Sequence, residues 1–151
     1  MQQPPDHYDA DLLLRLYDLR REEKLRKARD WFAQEFHADS FEDFLKRYPY
    51  GSEGNTFYRM VVGYWDMAAS LLNHGLIHED LFFENNAELL GVWIRIENLV
   101  PRIRETWKSP LFCKNLEQAA EKYEKWMKKS APEVVPALRE RIQSLAARKS
   151  E

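Results

Sequence analysis

Between Ala87 and Trp107, apolar residues recur at steps of three and four: Leu89, Leu90, Trp93, Ile96, Val100, Ile103 and Trp107. That is the repeat of one helix face. Val92, Ile94 and Leu99 add apolar groups on the flanks, and a helix apolar over most of its girth must be covered from several sides. The stretch therefore predicts a central, buried helix. Pro101 has no N–H to donate to the carbonyl of Glu97, and its ring crowds the preceding turn. A kink is expected between Glu97 and Pro101.

The same repeat predicts the other elements. Leu12, Leu13, Leu16, Tyr17 and Leu19 begin an apolar stripe that Leu25, Ala28, Trp31, Phe32 and Phe36 complete, giving one long helix over 9–36. Its stripe nearly vanishes at RREEK, Arg20 to Lys24. A rod of this length would run roughly 40 Å, longer than a domain of this size comfortably covers. Part of it is expected to overhang or to pack on another copy, unless the last helix folds back over its leucines. Ser40 with Asp43 forms a capping-box-like start for a short helix with Phe41, Phe44 and Leu45 inward. YPYGSEGN, residues 48–55, reads as the clearest turn.

A third helix over about 56–74 carries Phe57, Met60, Val61, Tyr64, Trp65, Ala68, Leu71 and Leu72, and Gly75 closes it in the left-handed conformation. A short helix over 79–84 follows, with Asn85 and Asn86 breaking it and capping the central helix. Asn115 with Gln118 caps a helix to about Lys129, and a last helix carries Leu138, Ile142 and Leu145. The expected architecture is all-α, a single-domain irregular bundle of six or seven helices. Residues 1–8 form a flexible lead-in and 9–149 the domain.

Composition agrees with that class and narrows the partners. Aromatic content of 13%, with five tryptophans, belongs to a folded chain. A net charge of −2 gives no global attraction to nucleic acid or to an anionic membrane. Charge is uneven along the chain, however. Residues 51–100 hold two basic groups against seven acidic, and residues 101–151 hold twelve against seven. An acidic middle and a basic tail are expected to face each other or to be solvated. Cys113 stands alone, so no intramolecular disulfide forms. The amino terminus is acidic where a secretion signal would be basic, and no apolar run approaches the ~20 residues that span a bilayer. No transmembrane segment, no nucleic-acid partner and a cytoplasmic location are the expectations.

Candidate chemistry is sparse. His74 and His78 stand near Glu79, Asp80 and Glu84, but Gly75 breaks the helix that would align the two imidazoles. HEDLF has Phe82 where a zinc-protease motif needs its second histidine. No metal and no cofactor are expected. Gly51 and Gly54 precede a helix without the lysine of a nucleotide-binding loop. Arg95, Arg102 and Arg104, interleaved with Trp93 and Trp107, form the most pointed cluster. Arginine forks bind carboxylate or phosphate, and indole faces hold cations or flat rings. The plainer reading pairs these arginines with Glu97, Glu105 and the acidic middle while the indoles fill core. Cys113, beside Phe112, reads as a small core residue, and no catalytic constellation is found.

Three stretches together, YDLRREEKLRKARDWF, YWDMAASLLNHGLIHEDLFFE and WIRIENLVPRIR, resemble the bacterial helical family catalogued as domain of unknown function 4760. The family pattern, a helix ending in Leu-x-x-Gly-Leu-Ile, then a short acidic-aromatic helix, then a tryptophan-bearing helix ending near Pro and Arg, is matched here by Leu72 to Ile77, Glu79 to Glu84, and Trp93 through Pro101 to Arg104. The resemblance covers about residues 10–128. It implies an all-α fold and supplies no activity. The expected function is a protein-interaction or scaffold module, a homodimer with Leu12, Leu13, Leu16 and Leu19 at its interface, and with an unknown protein partner. The alternative is a sensor of a small anionic ligand held by Trp93, Arg95, Arg102, Arg104 and Trp107.

Overall fold

The computed structural model describes residues 3–150. Among them are nine α-helices and no strand: α1 (His7–Arg20), α2 (Glu23–Gln34), α3 (Phe41–Arg47), α4 (Glu53–Asn73), α5 (Glu79–Asn85), α6 (Glu88–Ile96), α7 (Val100–Thr106), α8 (Lys114–Lys128) and α9 (Val134–Ser150). The all-α class stands. Six or seven helices become nine because two expected rods are each divided.

The long helix expected over 9–36 is two helices. Asp6 caps α1 by accepting the N–H groups of Tyr8 and Asp9, and Asp9 returns the bond by accepting the Asp6 N–H at 2.8 Å. The helix therefore begins at His7, inside the lead-in expected over 1–8, whose first two residues lie outside the described ones. At the far end Glu22 turns extended, with ψ 137°, and its carboxylate accepts the N–H groups of Lys24 and Leu25. Where the apolar stripe vanishes, no buried side chain resists the break, and the Glu22 cap satisfies the new helix start. The ~40 Å rod is absent, and with it the geometric reason for an overhang.

The central helix is divided as well. Every residue from Leu89 to Ile94, and Ile96, is buried on α6, as all-round apolar character requires. The Leu99 N–H then bonds the Ile96 carbonyl at 2.8 Å, and residues 97–99 form a turn. Pro101 falls in the first turn of α7, where an N–H would have no intrahelical acceptor. Proline thus opens a second helix instead of kinking one. Val100 and Ile103 face inward from α7, whereas Trp107, expected on the core face, is 49% exposed.

α4 packs against α2 and α8, and α6 packs against α4, α8 and α9. The centre is therefore shared between α4 and α6. α4 starts earlier than the turn reading of residues 48–55 allowed, because Ser52 caps it through the Asn55 N–H. Gly54 lies inside this helix against the Tyr48 ring, where a Cβ would meet Tyr48 Cδ1 at 2.6 Å. It is a packing residue, not a loop residue. Gly75 does end α4 with φ +74°.

Two expected caps are replaced by contacts from elsewhere. The Asn86 side-chain amide donates to the Phe82 carbonyl and its oxygen accepts from Arg20, so it caps nothing on α6. At α8 the side chain of Asp66, on α4, accepts the Leu116 N–H at 3.0 Å in place of Asn115. No helix among the described residues is long and apolar enough to cross a membrane.

Candidate functional site

The five residues of the arginine–tryptophan cluster do not converge. Arg102 points outward from α7 to Glu42 at 3.0 Å and Glu105 at 3.4 Å. Arg104, two positions on, turns the other way: its Nε donates to the Phe112 carbonyl at 2.9 Å and its fork meets Glu117 at 3.4 Å. Burial raises the Glu117 carboxyl, but hydrogen bonds from Lys114 and Arg104 outweigh it and hold the group below its ordinary value. Trp107 meets Phe41 and Phe112 edge-on and lies nearly parallel to the exposed Tyr50. Trp93 is buried on α6. Glu97, offered to these arginines by the sequence, is taken by Arg139 of α9, which also holds Glu124 at 2.6 Å. Acidic middle and basic tail do meet, at that arginine.

Arg95 stands apart. Its Nη1 donates to the Gly91 carbonyl at 3.0 Å, and a Cβ on Gly91 would lie 3.1 Å from that nitrogen, so the glycine lets the guanidinium lie flat along its own helix. There it lines a cavity of about 50 Å³ between the end of α2 and α9, with Phe36, His37, Ile142, Leu145 and Lys149. Burial lowers the Arg95 pKa from its ordinary value; Glu88 opposes and nearby Arg141 adds to that shift. Lys149 is lowered too, by burial and then by Arg95. Sequence reading singled out Arg95 but not Lys149. The only trace of the latter was the basic excess of the tail.

A second hollow, of about 140 Å³, opens where Gly63 on α4 carries no side chain. Tyr58, Val62, Phe112 and Cys113 line it, and the buried Tyr58 hydroxyl has no hydrogen-bond partner among the described residues. Burial pushes the Tyr58 phenol well up and the Cys113 thiol up to about 12. A thiol held neutral in this way is no nucleophile at neutral pH.

α1 carries the remaining candidates. Leu16 is fully buried in its own chain, with its carbonyl accepting from the Tyr64 hydroxyl. Leu12 and Leu13 are partly buried against the core, and Leu19 is 54% exposed. Leu14, off the expected stripe, is 64% exposed, and Tyr17, expected on the stripe, is 47% exposed instead of buried. Three consecutive leucines on an amphipathic helix must leave one facing out, and that was the signal for Leu14. The guanidinium groups of Arg20 and Arg21 lie 5.2 and 5.4 Å from the Tyr17 ring centre. A groove of about 360 Å³ runs beside Leu13, Leu14 and Tyr17 toward Glu84 and Asn85 of α5.

His74 and His78 serve helix ends. His74 Nδ1 lies 2.7 Å from the Ser70 carbonyl, and the His78 ring accepts the Leu81 N–H at 3.4 Å as the cap of α5. Among the described residues no group of three or more histidine, cysteine or carboxylate side chains is placed to hold a metal ion.

Neither the curated proteins nor the solved structures include a significant match to this chain. The helices from α1 to most of α8, with the Leu72–Ile77 helix end, the short α5 and the broken α6–α7 pair, are the part that a known family shares. Over residues 7–126 the sequence matches the family described as Domain of unknown function (DUF4760), and the chain belongs to that family.

Proposed function

We propose that the chain is a protein-interaction module that pairs with a second copy of itself through the outer flank of α1. The observation behind this reading is the exposed pair Leu14 and Tyr17 on a helix that turns Leu16 fully inward. Isolated apolar groups on a surface are ordinary, but this pair belongs to an ordered flank. Ala10, Leu13, Leu14, Tyr17 and Arg21 follow one another at helical spacing, with Asp6 ahead of them. An antiparallel two-fold pairing would lay Leu14 and Tyr17 of each copy together and bring Arg21 of one to Asp6 of the other. Such self-complementarity is what an isologous interface requires. Leu16 takes no part, being covered within its own chain, and Leu19 belongs to the opposite flank.

Light scattering on the full chain at tens of micromolar tests this reading. Twice the chain mass of 18.1 kDa is expected, falling to one chain mass in Leu14→Glu and Tyr17→Glu with unchanged circular dichroism. A wild-type protein that scatters as a monomer overturns it.

A further inference from the structure

Arg95 and Lys149 approach one another from α6 and α9 across the small cavity described above. Like charges brought together out of water repel, and their desolvation adds to the cost. Neither has a carboxylate within salt-bridge distance among the described residues. Arg95 spends one donor on the Gly91 carbonyl, out of the five its guanidinium carries. Among the described residues Lys149 reaches only the Phe36 carbonyl, at 3.5 Å. The nearby acids are engaged or distant: Glu88 is held by Arg29 and Trp65, and Asp39 by His37 at 2.9 Å. Glu35 acts on Lys149 and Arg141 on Arg95 only through space. Of the rest of the lining, His37 is polar, with its ring 2.9 Å from Asp39, and Phe36, Ile142 and Leu145 are apolar.

We propose that this cavity binds a small aliphatic carboxylate, its two oxygens shared between the Arg95 fork and the Lys149 ammonium and its short chain against Phe36, Ile142 and Leu145. Planar carboxylates suit an arginine fork. Phosphate would bring further oxygens to a lining that apart from the two cations is apolar except for His37, whose ring is paired with Asp39. The cavity, about 50 Å³ and partly open to solvent, takes the carboxylate and its first carbon or two, with the end of a short chain at its mouth, and excludes nucleotides and sugar phosphates. A bound carboxylate would join α9 to α6 at the one end of α9 that Arg139 does not already tie down. No residue of the cavity belongs to α1, so this site and the self-association stand or fall separately.

The test is calorimetric titration of the full chain with sodium butyrate, with butyramide and inorganic phosphate as controls. Butyrate is expected to saturate one site per chain and to raise the melting temperature. Butyramide, lacking the charge, should bind at least about tenfold more weakly. Lys149→Met, near the end of α9, keeps the core intact and should weaken butyrate by about tenfold, as should Arg95→Met. Equal binding of butyrate and butyramide, no binding of either, or wild-type affinity in Lys149→Met overturns the proposal. Saturation by phosphate with butyrate inert overturns the carboxylate assignment.

Discussion

Arg29 and Glu88, on α2 and α6, meet through two N–H···O contacts, Nε to Oε2 at 2.9 Å and Nη2 to Oε1 at 3.2 Å. The same Glu88 oxygen accepts the Trp65 indole N–H at 3.0 Å, and the third arm of Arg29 donates to the Arg20 carbonyl at 3.0 Å. That carbonyl is one of the orphan acceptors at the end of α1. Three helices, α2, α4 and α6, thus meet at one carboxylate, and α1 joins them through Arg29, next to the point where the expected long helix breaks.

Both partners are partly exposed, 22% and 38% for the side chains, so the pair is worth less than a fully buried one. Glu88→Gln is expected to cost about 1–2 kcal/mol in urea unfolding. A double-mutant cycle with Arg29→Met should give a coupling of about 1 kcal/mol. Additive effects would show that the two act independently.

Two glycines of α4 should respond to alanine with opposite signs. Gly63 has nothing within 4 Å of a built Cβ, so Gly63→Ala should stabilise by about 0.5–1 kcal/mol through helix propensity. At Gly54 a Cβ would lie 2.6 Å from Tyr48 Cδ1 and 3.1 Å from Trp31 Cζ2. There overpacking, about 1–3 kcal/mol, should exceed the propensity gain. Urea midpoints of the two variants decide it.

Ile96 is fully buried at the end of α6. Ile96→Ala should cost about 2–5 kcal/mol, because the removed atoms leave a cavity that the surrounding helices cannot fully close. A loss under about 1 kcal/mol would place α6 at the periphery.

Cys113 should be slow to react and should make stability fall in alkali. Burial holds its thiol up at about 12, with Asp66 and Glu117 adding to the effect and Arg104 opposing it. An unfolded cysteine titrates near ~8.5. The stabilisation is therefore complete below ~8.5 and is lost as pH rises from there toward about 12. Labelling with a disulfide reagent at pH ~8 should be far faster in denaturant than in buffer. Between pH ~8 and ~10 the wild type should lose more stability than Cys113→Ala does.

Much of this fold was legible because burial leaves a local trace. The continuous apolar run from Leu89 to Ile94 required cover on all sides and received it. Gly75 required a left-handed helix end and adopts one. Both divided rods also left marks, the fading stripe at Arg20–Lys24 and the proline at 101. Periodicity alone could not separate a weakened or kinked helix from two helices. The choice rests on whether new ends find partners, and Glu22 and the Leu99 turn provide them.

By itself the sequence determined that the chain is helical and which positions along each helix are apolar, since a repeat of 3.6 residues is a property of neighbours in the chain. Which polar groups meet was decided only by the tertiary structure. Arg102 and Arg104, two positions apart, answer to acids on α3 and α8, while Arg95 shares a cavity with Lys149 from the far end of the chain. Asp66 caps a helix that begins long after it. A charge is satisfied by whatever the packing of apolar faces brings within ~3 Å, and no local pattern records that distance.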